Sequence, residues 1–109
     1  MLAFSAVLFF SCAGGPVNIP QDISPAEIIQ RAQEASDKNR FKTAQQYYET
    51  LLERYPDDIN MVCTAEYEIA FIHYKQKNYS QAREELNTLL ERYGASGGED
   101  LPPSLKSCP

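Results

Sequence analysis

At 109 residues, 43% hydrophobic and 23% charged, the chain has room for one small domain and enough apolar content to fold it, which excludes wholesale disorder. The formal net charge is -5 and the ten basic residues form no run, so the basic stripe that tracks phosphates is missing and nucleic acid is excluded as a partner class. Three cysteines (Cys12, Cys63 and Cys108) are too few and too scattered for a disulfide framework or a zinc site.

Residues 1–10 (MLAFSAVLFF) are uncharged and almost wholly apolar. A bilayer-crossing helix needs about 20 apolar residues, so this run has the length of a signal-peptide core instead. It ends in Phe10-Ser11-Cys12, followed by Ala13-Gly14-Gly15-Pro16. The small residue before Cys12 resembles the lipobox of bacterial lipoproteins, in which a peptidase cuts before the cysteine and a lipid is joined to its sulfur. Phe9 stands where that motif favours leucine, and no basic residue precedes the apolar run. The resemblance implies a signal peptide over residues 1–11 and a lipid anchor on Cys12. The alternative is a short buried segment with an ordinary core cysteine. Residues 12–24 are Gly/Pro-rich without helical period and read as a lipidated start and linker.

Helical signals begin at Ser24-Pro25-Ala26-Glu27. A capping serine, a proline at the first helical position and a glutamate three residues after the cap form a capping box. Ile28, Ile29, Ala32 and Ala35 recur at helical spacing. The pattern breaks at Asn39-Arg40-Phe41, and a second helix over about 42–55 is stopped by Pro56. The chain then repeats itself. TLLERY stands at 50–55 and again at 88–93, an offset of 88 − 50 = 38 that also maps Phe41 onto Tyr79 and Ala44 onto Ala82. Such internal repetition predicts stacked helix–turn–helix units.

The second unit resembles a tetratricopeptide repeat. Ile69 and Ala70 supply the large and small pair of its first helix, Tyr79 the aromatic opening the second helix, and Ala82, Leu86 and Leu89 the positions that follow. In the first unit Ala32, Phe41, Ala44, Tyr48, Leu51 and Pro56 correspond. The chain departs from the family at Arg31, Ala35, His73 and Gly94. The resemblance implies an all-α fold: two tandem hairpins of an α-solenoid spanning residues 25–94 (about 25–56 and 63–94), then a flexible tail at 95–109. It also implies that Ala32, Ala44, Ala70 and Ala82 are small because helices meet there, with Phe41 and Tyr79 wedged between helices. The offset exceeds the usual repeat length of about 34 residues by four. That surplus falls in residues 57–62, as an extended loop or an extra first turn. Longer repeats ending in Tyr-Pro are similar to those of envelope lipoproteins, including the lipoprotein of the outer-membrane β-barrel assembly machine.

Stacked repeats of this family line a concave side with their first helices. The resemblance assigns to it Ile29, Gln33 and Ser36 from the first unit, and Tyr67, Phe71, Tyr74 and Lys75 from the second. These apolar positions suit peptide capture, although aromatic residues at helical spacing are also the ordinary content of a core. Two units fall short of the roughly three that bury a continuous core, so the far face of the second unit is expected to be open to docking or self-association. No nucleophile–base pair, phosphate loop or metal-ligand spacing is present, and His73 is the lone histidine. The expectation is a non-catalytic protein-binding scaffold of the bacterial envelope, facing the periplasm from the outer membrane, with other proteins as partners and no cofactor. A subunit of outer-membrane protein assembly and a self-associating structural lipoprotein are the alternatives.

Overall fold

The computed structural model describes residues 17–93. Cys12, the signal-peptide reading, Cys108 and the tail at 95–109 lie outside them. Within them the chain forms four helices and no strand: α1 (Pro25–Asp37), α2 (Phe41–Arg54), α3 (Ile59–Lys75) and α4 (Tyr79–Tyr93). Packing follows chain order, α1 on α2, α2 on α3 and α3 on α4. Two antiparallel hairpins are thereby stacked through α2 and α3.

The starts of α1 and α3 have local causes. Ser24 Oγ accepts the Glu27 backbone N–H at 3.1 Å and Pro25 opens α1, as the capping box predicts. The Asp58 carboxylate accepts from the N–H groups of Asn60 and Met61 at 3.1 and 3.3 Å and opens α3. The four surplus residues of the repeat are therefore helical: α3 has 17 residues against 13 in α1. α2 begins at Phe41 and ends at Arg54, one residue earlier at each end than the sequence pattern placed it.

The two hairpin turns are built alike. Asn39 and Lys77, again 38 apart, take φ of 59° and 67°. In the first turn Asn39 N–H donates to Ser36 O and Arg40 N–H to Ala35 O. In the second, Lys77 N–H donates to Tyr74 O and Asn78 N–H to His73 O. Both are Schellman turns, in which one left-handed residue satisfies the helix's last free carbonyls.

The main core joins both hairpins. Ile28, Ala32, Ala44, Tyr48, Leu51, Ala65 and Ile72 are at most 1% exposed, and a second cluster of Cys63, Leu89 and Tyr93 ties α3 to α4. The four predicted contact alanines, Ala32, Ala44, Ala70 and Ala82, are at most 2% exposed, as close helix approach requires. Phe41 and Ile69 are half-buried against the main cluster and Leu86 against the second. Tyr79 departs from expectation. It is 53% exposed and wedges between no helices, because Phe41 has the end of α3 beside it while no described helix follows α4.

Residues 17–23 also differ from a free linker. Val17 N–H donates to Gln46 Oε1 at 2.7 Å, and the Arg54 guanidinium donates to the carbonyls of Pro20 and Ile19 at 2.7 and 2.8 Å. Ile19 and Ile23 rest on the main core. The segment is a strap laid along α2.

Candidate protein-binding face

The helical period of α3 sets the geometry of the predicted face. Tyr67, Phe71 and Tyr74 lie three and four residues apart and so project from one side of the helix. Their rings form a ladder: Tyr67 and Phe71 stack at 6.4 Å with planes 3° apart, and Phe71 and Tyr74 at 5.9 Å and 12°. Tyr79, at the start of α4, meets Tyr74 edge-on at 5.5 Å and 62°. Exposure rises along the ladder. Tyr67 is half-buried against the second core cluster, whereas Phe71 is 38% and Tyr74 52% exposed. Tyr67 thus has a packing role, and Phe71 and Tyr74 form the open part.

Lys75 connects the hairpins. Its Nζ donates to Ser36 Oγ at 3.1 Å, and the same ammonium lies 4.7 Å from the centre of the Phe71 ring, within cation–π range. This brings together Ser36 of α1 and Phe71 and Lys75 of α3, three of the predicted face residues. Gln33 is exposed on α1, and Ile29 is half-buried against the main core.

Two polar features near this junction escaped the sequence reading: the half-buried carboxyl of Glu68, and the unpaired hydroxyl of Tyr48, a residue the repeat had marked only for packing. Burial pushes the Glu68 carboxyl above its ordinary range, opposed by the Lys75 charge. Tyr48 is 1% exposed and its hydroxyl has no hydrogen-bond partner among the described residues, an arrangement that costs about 1–3 kcal/mol. Burial, then the negative charges of Glu68 and Asp37, raise the pKa of that phenol. Neither group has a sequence signature, because each depends on which residue of the other hairpin it meets.

The remaining titratable positions are structural in geometry. His73 Nδ1 lies 2.7 Å from Glu85 Oε1 across the second hairpin, and Arg92 holds Glu66 at 2.8 Å. Cys63 is a fully buried free thiol whose pKa is raised by burial and by Glu66, against the Tyr93 hydrogen bond and Arg92. That keeps it protonated and unreactive at neutral pH. Among the described residues no three His, Cys, Asp or Glu side chains converge as metal ligands would.

The sequence model of the YfiO family, described as outer membrane lipoprotein, matches residues 21–101. The chain belongs to the YfiO outer membrane lipoprotein family. The match takes in all four helices and the end of the strap, so the family extends over the whole described repeat pair and not one hairpin alone. The chain is also 37% identical over 97 residues to an uncharacterized protein of Treponema pallidum (strain Nichols). That alignment covers 87% of this chain and 39% of the relative, so the chain spans about two fifths of the relative's length. No solved structure matches it. Membership in YfiO agrees with the tetratricopeptide-type envelope lipoprotein expected from the repeat. Among the described residues no helix is long and apolar enough to cross a membrane.

Proposed function

We propose that the chain is a non-catalytic protein-binding scaffold of the bacterial envelope, held at the outer membrane by a lipid on Cys12 and engaging a partner protein through the first helices of its repeats. Residues 1–11 act as the signal peptide and the repeat pair as the binding module. The observation that carries this reading is the exposed, mutually stacked pair Phe71 and Tyr74 beside Lys75. Exposed aromatic rings next to a positioned cation give an apolar surface with one polar anchor, the composition of a peptide-recognition site. Ile29, Gln33, Ser36 and Tyr67 complete the proposed face. A second reading, a subunit of outer-membrane protein assembly, draws support from the YfiO match.

The test is crosslinking mass spectrometry in cells, followed by co-purification of the identified partner with wild type and Phe71→Ala. Phe71 is 38% exposed, so its truncation leaves the helices intact by circular dichroism while lowering partner recovery about tenfold. Undiminished recovery refutes the proposed face. Palmitate incorporation lost in Cys12→Ser tests the anchor independently.

A further inference from the structure

Five of the ten basic residues, scattered along the sequence, come together in space. The α1–α2 and α3–α4 turns lie side by side at one edge of the stack. Lys75 Nζ at the end of α3 donates to Ser36 Oγ near the end of α1, and Gln76 borders with Arg40 and Lys42 a depression of about 270 Å³ between the turns. Along this edge stand Lys38, Arg40, Lys42, Lys75 and Lys77, all exposed, with Asp37 as the one acid in residues 37–42 and 75–80. The other described residues hold four cations against twelve acids. The described residues thus form a charge dipole, positive at the turns and negative elsewhere.

Helix stability accounts for only part of this. Lys38, Lys75 and Lys77 lie at the C-terminal ends of α1 and α3, where the helix dipole favours cations. Arg40 and Lys42 lie at the N-terminal end of α2, where it disfavours them. Arg40 supplies no side-chain cap there, and no acid stands in the first turn. Neither cation forms an ion pair among the described residues. Two unneutralised cations kept against the local rule point to an anion that another molecule supplies.

The strap and the architecture indicate which anion. Val17 is tied to Gln46 in the first half of α2, and Ile19 and Pro20 to Arg54 at its end, so Val17 is the end of the strap nearer the turns. A lipid on Cys12, five residues before Val17, therefore has the turn edge within its reach. The edge also stays an edge however many repeats are stacked. Repeats pack through their helix faces, so each further one adds a turn to the row and leaves these turns uncovered. A row of cations along a rim suits a planar layer of phosphates, whereas a peptide calls for a groove.

We propose that the turn edge, with Lys38, Arg40, Lys42, Lys75 and Lys77, lies against the anionic headgroups of the bilayer and sets the orientation of the module on it. The proposal rests on the lipoprotein reading above for its bilayer. The contact itself needs no lipid on Cys12, so the two are tested apart.

The test uses the full chain carrying Cys12→Ser, co-sedimented with vesicles of phosphatidylcholine alone or mixed equally with phosphatidylglycerol. Expected is binding tighter to the mixed vesicles by at least about tenfold, a preference lost in about 1 M salt, where the screening length is about 3 Å. Each basic side chain near such a surface contributes about fivefold, so Arg40→Gln with Lys42→Gln weakens binding at least about tenfold. Ile59→Glu with Asn60→Glu changes the net charge equally at the opposite edge, where both residues are exposed, and alters binding less than about twofold. Amide exchange at residues 40–43 and 77–81 slows on the mixed vesicles, and exchange at 58–61 does not. Equal affinity for the two vesicle types, equal losses in the two folded variants, or protection at 58–61 instead overturns the proposal. Exchange at 41–43 that is already slow before vesicles are added overturns it too, because the chain itself then covers the edge. Saturable binding of polyglutamate at the turns, with none to mixed vesicles, overturns it in favour of an acidic protein.

Discussion

The twice-used hexapeptide TLLERY provides its own control for the energetics of the stack. Leu51 and Leu89 occupy the same place in it and are 0% and 1% exposed; Leu52 and Leu90 are neighbours in the same two words, half-buried and 57% exposed. Truncating a fully buried leucine to alanine removes its transfer energy and leaves a cavity, at about 2–5 kcal/mol. Leu51→Ala and Leu89→Ala should each cost about 3 kcal/mol by that rule. Leu52→Ala loses only part of the transfer term, about 1–2 kcal/mol, and Leu90→Ala stays within about 0.5 kcal/mol. A module of this size has a total stability of roughly 4–12 kcal/mol, so either inner substitution removes a large share of it. Urea unfolding followed by far-UV circular dichroism at micromolar concentration measures all four, with unchanged slopes as the check on a common unfolded state. Equal losses at Leu52 and Leu90 would refute the reasoning, because they would mean that α4 is covered as α2 is.

Two further outcomes follow from the same structure. Burial raises the folded-state pKa of Glu68 above its unfolded value, so the folded protein holds this proton more tightly, and the contribution is present below pH 4.5 and lost as pH rises through the folded value. Glu68→Gln therefore raises the melting temperature at pH 7, and the gain shrinks as the pH falls through the folded value towards 4.5, below which it is gone; a gain independent of pH would contradict it. Lys77 sits at φ 67°, where a Cβ is disfavoured and glycine is not, so Lys77→Gly should stabilise by about 0.5–1 kcal/mol in urea melts, whereas the same change at Lys75 should not.

What the sequence discloses here is what repeats or recurs at helical spacing. Ser24, Pro25 and Glu27 announced the start of α1, and the small residues at 32, 44, 70 and 82 marked helix contacts, because both signals depend on neighbours within a few residues or on the repeat itself. Ile72 and Ala65 entered the main core unannounced. α3 is apolar on several sides, so its period alone does not say which side meets α2. The extra turn of α3 remained ambiguous because Asp58 serves a loop as well as a cap until its partners at Asn60 and Met61 are seen. Of the candidate face, the sequence named the ladder but not its gradient of exposure. Tyr67 and Phe71 are alike in type and spacing, and only the packing of Tyr67 against the cluster of Cys63, Leu89 and Tyr93 separates a packing ring from an open one.

The strap along α2 changes the mechanics of the proposed anchor. Read as a loose linker, residues 12–24 would let the repeat pair wander some distance from a membrane. With Val17 fixed to Gln46, and Ile19 and Pro20 gripped by Arg54, only five residue steps separate Cys12 from the strap, a reach of about 17 Å at most. A lipid on Cys12 would then keep the middle of α2 within about that reach of the bilayer and restrict the module's tumbling to a shallow zone above it. Partners would be met at the membrane surface, at the height of the repeats themselves.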